Sequence, residues 1–335
     1  MAIEFESTAQ QTSFYSPLED FEETTIETTV RRDPLTGRQT RIVPESFVRT
    51  EDDPEIESVV EDSEGCFFCP DMVTETTPEY PDFVGFDRGS VGEATSFPNL
   101  NPYGAYSNVV VLTEEHYVPL DEFETAVFED GFEAAMAYVD AVFENDDDAA
   151  FASLNMNFLR SAGSSIIHPH LQTLVDDRGT NRQRRRVEAQ RRYYRDEGRP
   201  FYDDVLDEER DEERYVGETG AVEWYAPFAP QHHYHLRGVV TGDEDIHADA
   251  PVLGDLASGL TNALAFFAGE DLNSFNFALH LVPGEEAVRP VMDVIGRSVF
   301  DQYYWSDATF FDTIHEEGVI DVAPEEYATT ALASF

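Results

Sequence analysis

Ser161-Ala162-Gly163-Ser164-Ser165-Ile166-Ile167-His168-Pro169-His170-Leu171-Gln172 is the stretch on which the reading of this chain turns. In an extended segment, side chains two apart share a face. His168, His170 and Gln172 therefore point the same way from one strand, with small residues upstream leaving room beside them. Three polar, partly basic groups in a row make a poor core and a good cradle for an anion next to a nucleophile. A surface strand with unrelated histidines is the plainer reading, and the rest of the chain decides between the two.

Upstream of this stretch, residues 151–158 alternate as a strand does. Residues 121–144 place Phe128, Phe132, Ala135, Met136, Val139 and Val142 at helical spacing with an acidic opposite face. Another strand is expected over 107–113, with His116 just after it, and a short one over 39–43. Residues 1–30 are acidic and Ser/Thr-rich and read as loose at the start. Downstream, residues 178–195 form an arginine-dense helix, read as a solvated face pairing with acidic surface rather than a nucleic-acid grip. Residues 203–214 read as a charged linker. Strands over 222–240, a helix over 251–267, a strand over 274–283, an extended or short helical piece over 290–300, a strand over 302–313 and a closing helix over 324–332 follow. Strands, helix, strands, twice over, points to an internal duplication of an α+β unit, each half an antiparallel sheet with packed helices. The halves divide at about residue 200, giving 1–200 and 201–335.

The composition limits what such a protein can do. With 335 residues, 25 Phe and 15 Tyr, the chain can bury a large core. Its formal net charge is −48, and all positive side-chain charge is arginine. So acidic a balance disfavours binding to nucleic acid or an anionic membrane. It suits a soluble protein in concentrated salt, where the Debye length shrinks to about 3 Å at 1 M and surface carboxylates hardly repel. Residues 1–6 show no basic segment followed by an apolar one, and no apolar run reaches about 18 residues. A halophilic cytoplasm, with no membrane span, is the expectation.

The two cysteines stand in Cys66-Phe67-Phe68-Cys69, a spacing that serves a redox pair or half a metal site. With His116 and His168 they complete a Cys2His2 set, the donor combination tetrahedral zinc prefers. Four protein ligands would make the zinc structural. With His168 given to metal, His170 is left as nucleophile or general base, with Gln172 and Ser165 as uncharged hydrogen-bonding partners for phosphate oxygens.

Taken together, Asn157, Gly163, Ser165 and His168-Pro169-His170-Leu171-Gln172 resemble the motif of the galactose-1-phosphate uridylyltransferase family in the histidine-triad superfamily. Arg32-Asp33-Pro34-Leu35-Thr36-Gly37, Cys66 to Pro70, Phe97-Pro98-Asn99 and His116 fit the same family. So do Pro227-Phe228-Ala229, Phe275-Asn276-Phe277 and Pro324-Glu325-Glu326 in the second half. The resemblance implies histidine-triad-like halves and an enzyme of galactose and carbohydrate metabolism. In it, His170 takes a uridylyl group from a UDP-hexose and passes it to a hexose 1-phosphate. It implies that Gln172, Ser165 and Asn157 hold phosphates, that Asn99 meets the nucleotide, and that Arg49 is a substrate arginine. Whether a homodimer completes the site stays open.

Four departures follow. Ser46 stands where the family has a first arginine, and Leu171 where it has a glycine, which should narrow the space beside the nucleophile. Residues 302–306 lack the family's second-half histidines, so a second metal is not expected, and no lysine is present for hexose-phosphate contacts. His232, His233, His235, His280 and His315 read as solvated or core histidines. Two other readings stand beside the transferase: a histidine-dependent phosphorylase or hydrolase acting on an ADP-sugar or dinucleoside polyphosphate, and a zinc-stabilised nucleotide-binding protein without turnover.

Overall fold

The structure is a computed structural model that describes residues 3–44, 56–61, 63, 65–242, 245–298 and 307–335. It opens on a long hairpin, β1 (Ser7–Ser16) with β2 (Glu22–Arg32), where a loose segment was expected. Thr24, Thr25, Ile26, Thr28, Thr29 and Val30 explain the difference, because β-branched side chains favour extended backbone whatever the surrounding charge. The side chains of Tyr15, Leu18 and Phe21 at its turn are exposed. β3 (Gln39–Ile42) extends this small sheet.

The main body follows in chain order. It comprises α1 (Ile56–Glu61), α2 (Pro70–Thr76), β4 (Gly89–Val91), β5 (Ala94–Pro98), β6 (Asn108–Val111), α3 (Thr125–Asn145), β7 (Phe151–Phe158) and β8 (His170–Asp176). Then come α4 (Asn181–Glu197), α5 (Phe201–Glu209), β9 (Tyr215–Thr219), β10 (Val222–Tyr225), β11 (His235–Val240), α6 (Val252–Gly269), β12 (Ser274–Leu281) and β13 (Val291–Arg297). β14 (Gly318–Ile320) runs parallel to β3, and α7 (Pro324–Ala331) closes the chain.

Ten strands form one sheet in the order β4-β5-β6-β8-β7-β12-β13-β11-β10-β9. Read outward from its middle, the order is the same on both sides: β7 answers β12, β8 answers β13, β6 answers β11. The chain order repeats as well, three strands, a helix and two strands, with α3 answering α6. This is the duplicated α+β architecture the sequence pattern pointed to. The two repeats join in one continuous sheet along β7 and β12.

Alternation along the strands sorts the two faces. Leu154, Met156 and Phe158 of β7, Leu171 and Val175 of β8, and Phe275, Phe277 and Leu279 of β12 enter one large core. α3 and α6 cover that face, α3 through Phe128, Phe132, Met136 and Val139 and α6 through Leu256, Leu260, Leu264 and Phe267. α6 is long and apolar enough in composition to cross a membrane, but its apolar residues lie in this core. Trp224 fits there only because Gly238 and Gly259 lie against its ring, where any Cβ would collide.

The other face is covered at both ends. At the β5–β6 end, Phe68 and Val73 pack on Phe97, Val109 and Val111. At the β13–β10 end, α5 packs Phe201, Tyr202, Val205 and Leu206 on Tyr225, Val239 and Val291. Residues 203–214 are therefore no linker: their charges pair locally, as where Arg214 Nε meets the buried Glu209 carboxylate at 3.0 Å. In the arginine-rich α4, Arg185 and Arg191 do meet surface carboxylates, Glu316 and Glu285. Arg186 instead turns inward onto Asp293 at 2.6 Å. Of the strand expected over 302–313, residues 302–306 lie outside the described residues, and Phe311–His315 forms a single helical turn.

Candidate active site and metal centre

Between the two covered ends runs a polar strip of sheet. β8 contributes His170 and Gln172, β7 Asn155 and Asn157, and β12 Asn276. Gln172 lies opposite Asn155, and Asn157 opposite Asn276, so the groups form rows across three strands. Their alternation with buried neighbours puts all of them on the face away from α3 and α6. Leu171 turns the other way, fully buried under α3. It does not crowd His170, because a period of two sends it to the opposite side of the sheet.

Leu159 and Gly163 both take positive φ, 64° and 91°, in the loop that returns the chain from β7 to β8. The second half holds this loop. Ser161 donates its hydroxyl to Ser274 Oγ at 2.7 Å, and Ser274 donates to the Phe158 carbonyl at 2.6 Å. β8 begins at His170, so His168 stands just before the strand. Phe68 packs edge-on against both rings, which keeps them on one side.

His170 Nδ1 lies 2.8 Å from the His168 carbonyl oxygen. A carbonyl can only accept, so Nδ1 carries the proton and Nε2 keeps its lone pair. Burial lowers the pKa of His170, which favours the neutral, nucleophilic ring.

Cys66, Cys69, His116 and His168 converge, with their ligand atoms all within 4.8 Å of one another. The two Sγ atoms are 3.7 Å apart, and His116 Nδ1 lies 3.5 and 3.6 Å from them. His168 Nδ1 lies 3.6 and 3.9 Å from the same sulfurs. A tetrahedron with Zn–S near 2.3 Å and Zn–N near 2.0–2.1 Å has an S–S edge of about 3.8 Å and S–N edges of about 3.5–3.6 Å, so these distances fit a zinc site to within a few tenths of an ångström. Both rings turn their other nitrogen to a support: His168 Nε2 to the Thr113 carbonyl at 2.7 Å and His116 Nε2 to Ser63 Oγ at 3.0 Å. Such supports fix a metal-ligating ring. Burial pushes His168 down to about 4, leaving it unprotonated, and pushes the Cys66 thiol up, so a cation is needed to hold it as thiolate.

The remaining candidates are placed less tightly. Asn157 is exposed on the strip and accepts from Asn276 Nδ2 at 2.7 Å. Ser165 is exposed in the loop before His168. Asn99 follows β5, where its backbone N–H donates to the Ser107 carbonyl and its side-chain oxygen accepts from Asn101 N–H. Arg49 and Ser46 lie outside the described residues.

One cluster escaped the sequence reading. On β13, Asp293 receives Arg186 at 2.6 Å, Arg237 at 2.7 Å and His235 at 3.0 Å, all buried. The only signal for it was the arginine density of α4, which gives no hint of an inward face.

No family model matches the chain. An uncharacterized protein from Archaeoglobus fulgidus is 32% identical over 308 residues, covering 92% of each chain. The chain belongs to the family of that protein. Two solved structures share the fold at lower identity. One is an ADP-glucose phosphorylase from Arabidopsis thaliana with bound ADP-glucose, with TM-score 0.72 and 17% identity over 91% of this chain and 97% of that one. The other is a uridylyltransferase, with TM-score 0.63 and 20% identity over 91% and 97%. The chain therefore has the same fold as these two enzymes.

Proposed function

We propose that this protein is a nucleotidyltransferase that moves a uridylyl group between a UDP-hexose and a hexose 1-phosphate. The observation that carries the reading is the bond from His170 Nδ1 to the His168 carbonyl, which leaves Nε2 free on a polar, open strip. Nε2 attacks the α-phosphorus, an N–P bond forms, and the bond to the bridging oxygen breaks to release hexose 1-phosphate. The imidazolium charge is held by the carbonyl on Nδ1. A phosphate oxygen of the second hexose 1-phosphate then displaces His170 and regenerates the neutral ring. Gln172, Asn157 and Ser165 hold the phosphates, with Asn99 toward the nucleotide and Arg49 as a substrate arginine. Uncharged donors suit a transition state whose charge spreads over equatorial oxygens. Zn2+ at Cys66, Cys69, His116 and His168 would fasten the Cys66 loop to the start of β8 and supply no chemistry of its own.

A second reading is phosphorolysis of an ADP-sugar, in which inorganic phosphate takes an adenylyl group from His170. The fold shared with an ADP-glucose phosphorylase, and a sequence with no lysine to meet a hexose phosphate, favour it. On either reading the two halves divide near residue 200, the setting is a salt-rich cytoplasm, and a homodimer is a candidate assembly.

Incubation in high salt with radiolabelled UDP-glucose and ADP-glucose separates the readings. Acid-labile, base-stable label from UDP-glucose, lost in His170→Ala with metal content and fold intact, supports the transferase. Label from ADP-glucose alone supports the phosphorylase. Label that survives His170→Ala overturns both, and tight binding without label leaves a nucleotide-binding protein. Equal fold and activity in dilute buffer would remove the salt-rich setting, and a monomer in solution the homodimer.

A further inference from the structure

Phe275-Asn276-Phe277 lies in the half of the chain without the nucleophile, yet Asn276 reaches the strip that carries it. Its Nδ2 donates to Asn157 Oδ1 at 2.7 Å and to the Ala162 carbonyl at 2.8 Å. Its Oδ1 accepts from Arg297 Nη1 at 2.7 Å, and Arg297 Nε is held by the Asp307 carboxylate at 2.7 and 2.9 Å.

These partners leave the amide one orientation. A guanidinium can only donate and a carbonyl can only accept, so the oxygen of Asn276 must face Arg297 and its nitrogen must face Ala162. That nitrogen in turn obliges Asn157 to present its oxygen to β12. The planar amide of Asn157 then directs its NH2 group to the opposite side, where β8 carries His170.

We propose that Asn276 is a positioning residue that fixes the Asn157 amide as a donor toward the substrate phosphate, with Arg297 and Asp307 holding Asn276. The inference rests on the reading of His170 as the nucleophile. It gives the second half a direct part in a site whose nucleophile it lacks.

Asn276→Asp keeps the size and the Arg297 contact but replaces the donor with an acceptor. Asn157 then turns its NH2 group to Asp and its oxygen to the phosphate. Asn276→Ala removes the constraint without reversing it. The labelling rate of His170 at saturating nucleotide should fall in the order wild type, Ala, Asp, with Asp at least roughly tenfold below wild type. Metal content should stay close to wild type in both variants; the Ala162 carbonyl loses its donor in both, so labelling is compared per folded molecule. Labelling by Asp that equals or exceeds that of Ala overturns the proposal, as does a loss that merely tracks unfolding. If wild type takes no label, the reading of His170 as nucleophile falls on its own. Calorimetric titration with UMP and AMP then decides the positioning: weaker binding by Asp than by Ala supports it, and equal binding, or none by wild type, overturns it.

Discussion

His168 donates its Nε2–H to the Thr113 carbonyl at 2.7 Å, and this one bond decides which nitrogen faces the two cysteines. With the tautomer fixed, Nδ1 joins a four-atom cage, 3.6 and 3.9 Å from the two sulfurs, close to the edges of a tetrahedral zinc site.

The purified protein should therefore carry about one equivalent of zinc. Cys66→Ser should lose it and lower the melting midpoint by about 4 °C, corresponding to roughly 3 kcal/mol. Metal analysis with thermal denaturation in high salt checks this. Full metal retention in Cys66→Ser would remove the assignment.

Leu171 is fully buried on the core side of β8, although it sits between His170 and Gln172 in sequence. Leu171→Ala should cost about 2–5 kcal/mol of stability through the cavity it leaves. Labelling per folded molecule should be unchanged, since the side chain points away from the strip. A large change in activity with little loss of stability would contradict this placement.

Asp293 is the shared carboxylate of Arg186 and Arg237, all three buried. Asp293→Asn would leave two guanidiniums buried without their counter-charge, which should destabilise the fold by about 3–5 kcal/mol. Denaturant titration in high salt reads this directly, and a loss below about 1 kcal/mol would count against it.

His232 and His235 are buried, and burial pushes both pKa values from 6.5 down to about 4, against the pull of Asp307 and Asp293. Their folded values lie below the unfolded one, so the unfolded chain binds more protons between the two. The stability tied to them is complete above about pH 6.5 and is lost as pH falls toward 4, by up to about 1.4 kcal/mol per pH unit for each histidine. The melting midpoint should fall over this range, and less steeply in His235→Gln. A midpoint constant from pH 7 to 5 would contradict the burial.

What the sequence shows follows from which signals are local. α3 was legible because Phe128, Phe132 and Met136 repeat at helical spacing, and the cage because Cys66 and Cys69 sit three apart with few histidines to join them. The hairpin of β1 and β2 and the helix α5 were misread for the same reason: charge was taken for solvation. In β2 the β-branched residues outweigh the glutamates, and in α5 the charges are met by partners such as Arg214. Leu171 was misjudged from a motif rather than from the pleat. Asn276 was visible as part of a motif, but its link to Asn157 spans 119 residues and exists only through the register of β7 on β12.

That register also bears on motion. Seven partnered positions join β7 to β12 in the middle of the sheet. Swinging one half against the other would break this ladder, so the seam cannot serve as a hinge. His170 therefore works from a stiff floor. Whatever shields a reacting phosphate from water must be laid over that floor, because the two halves cannot close around it.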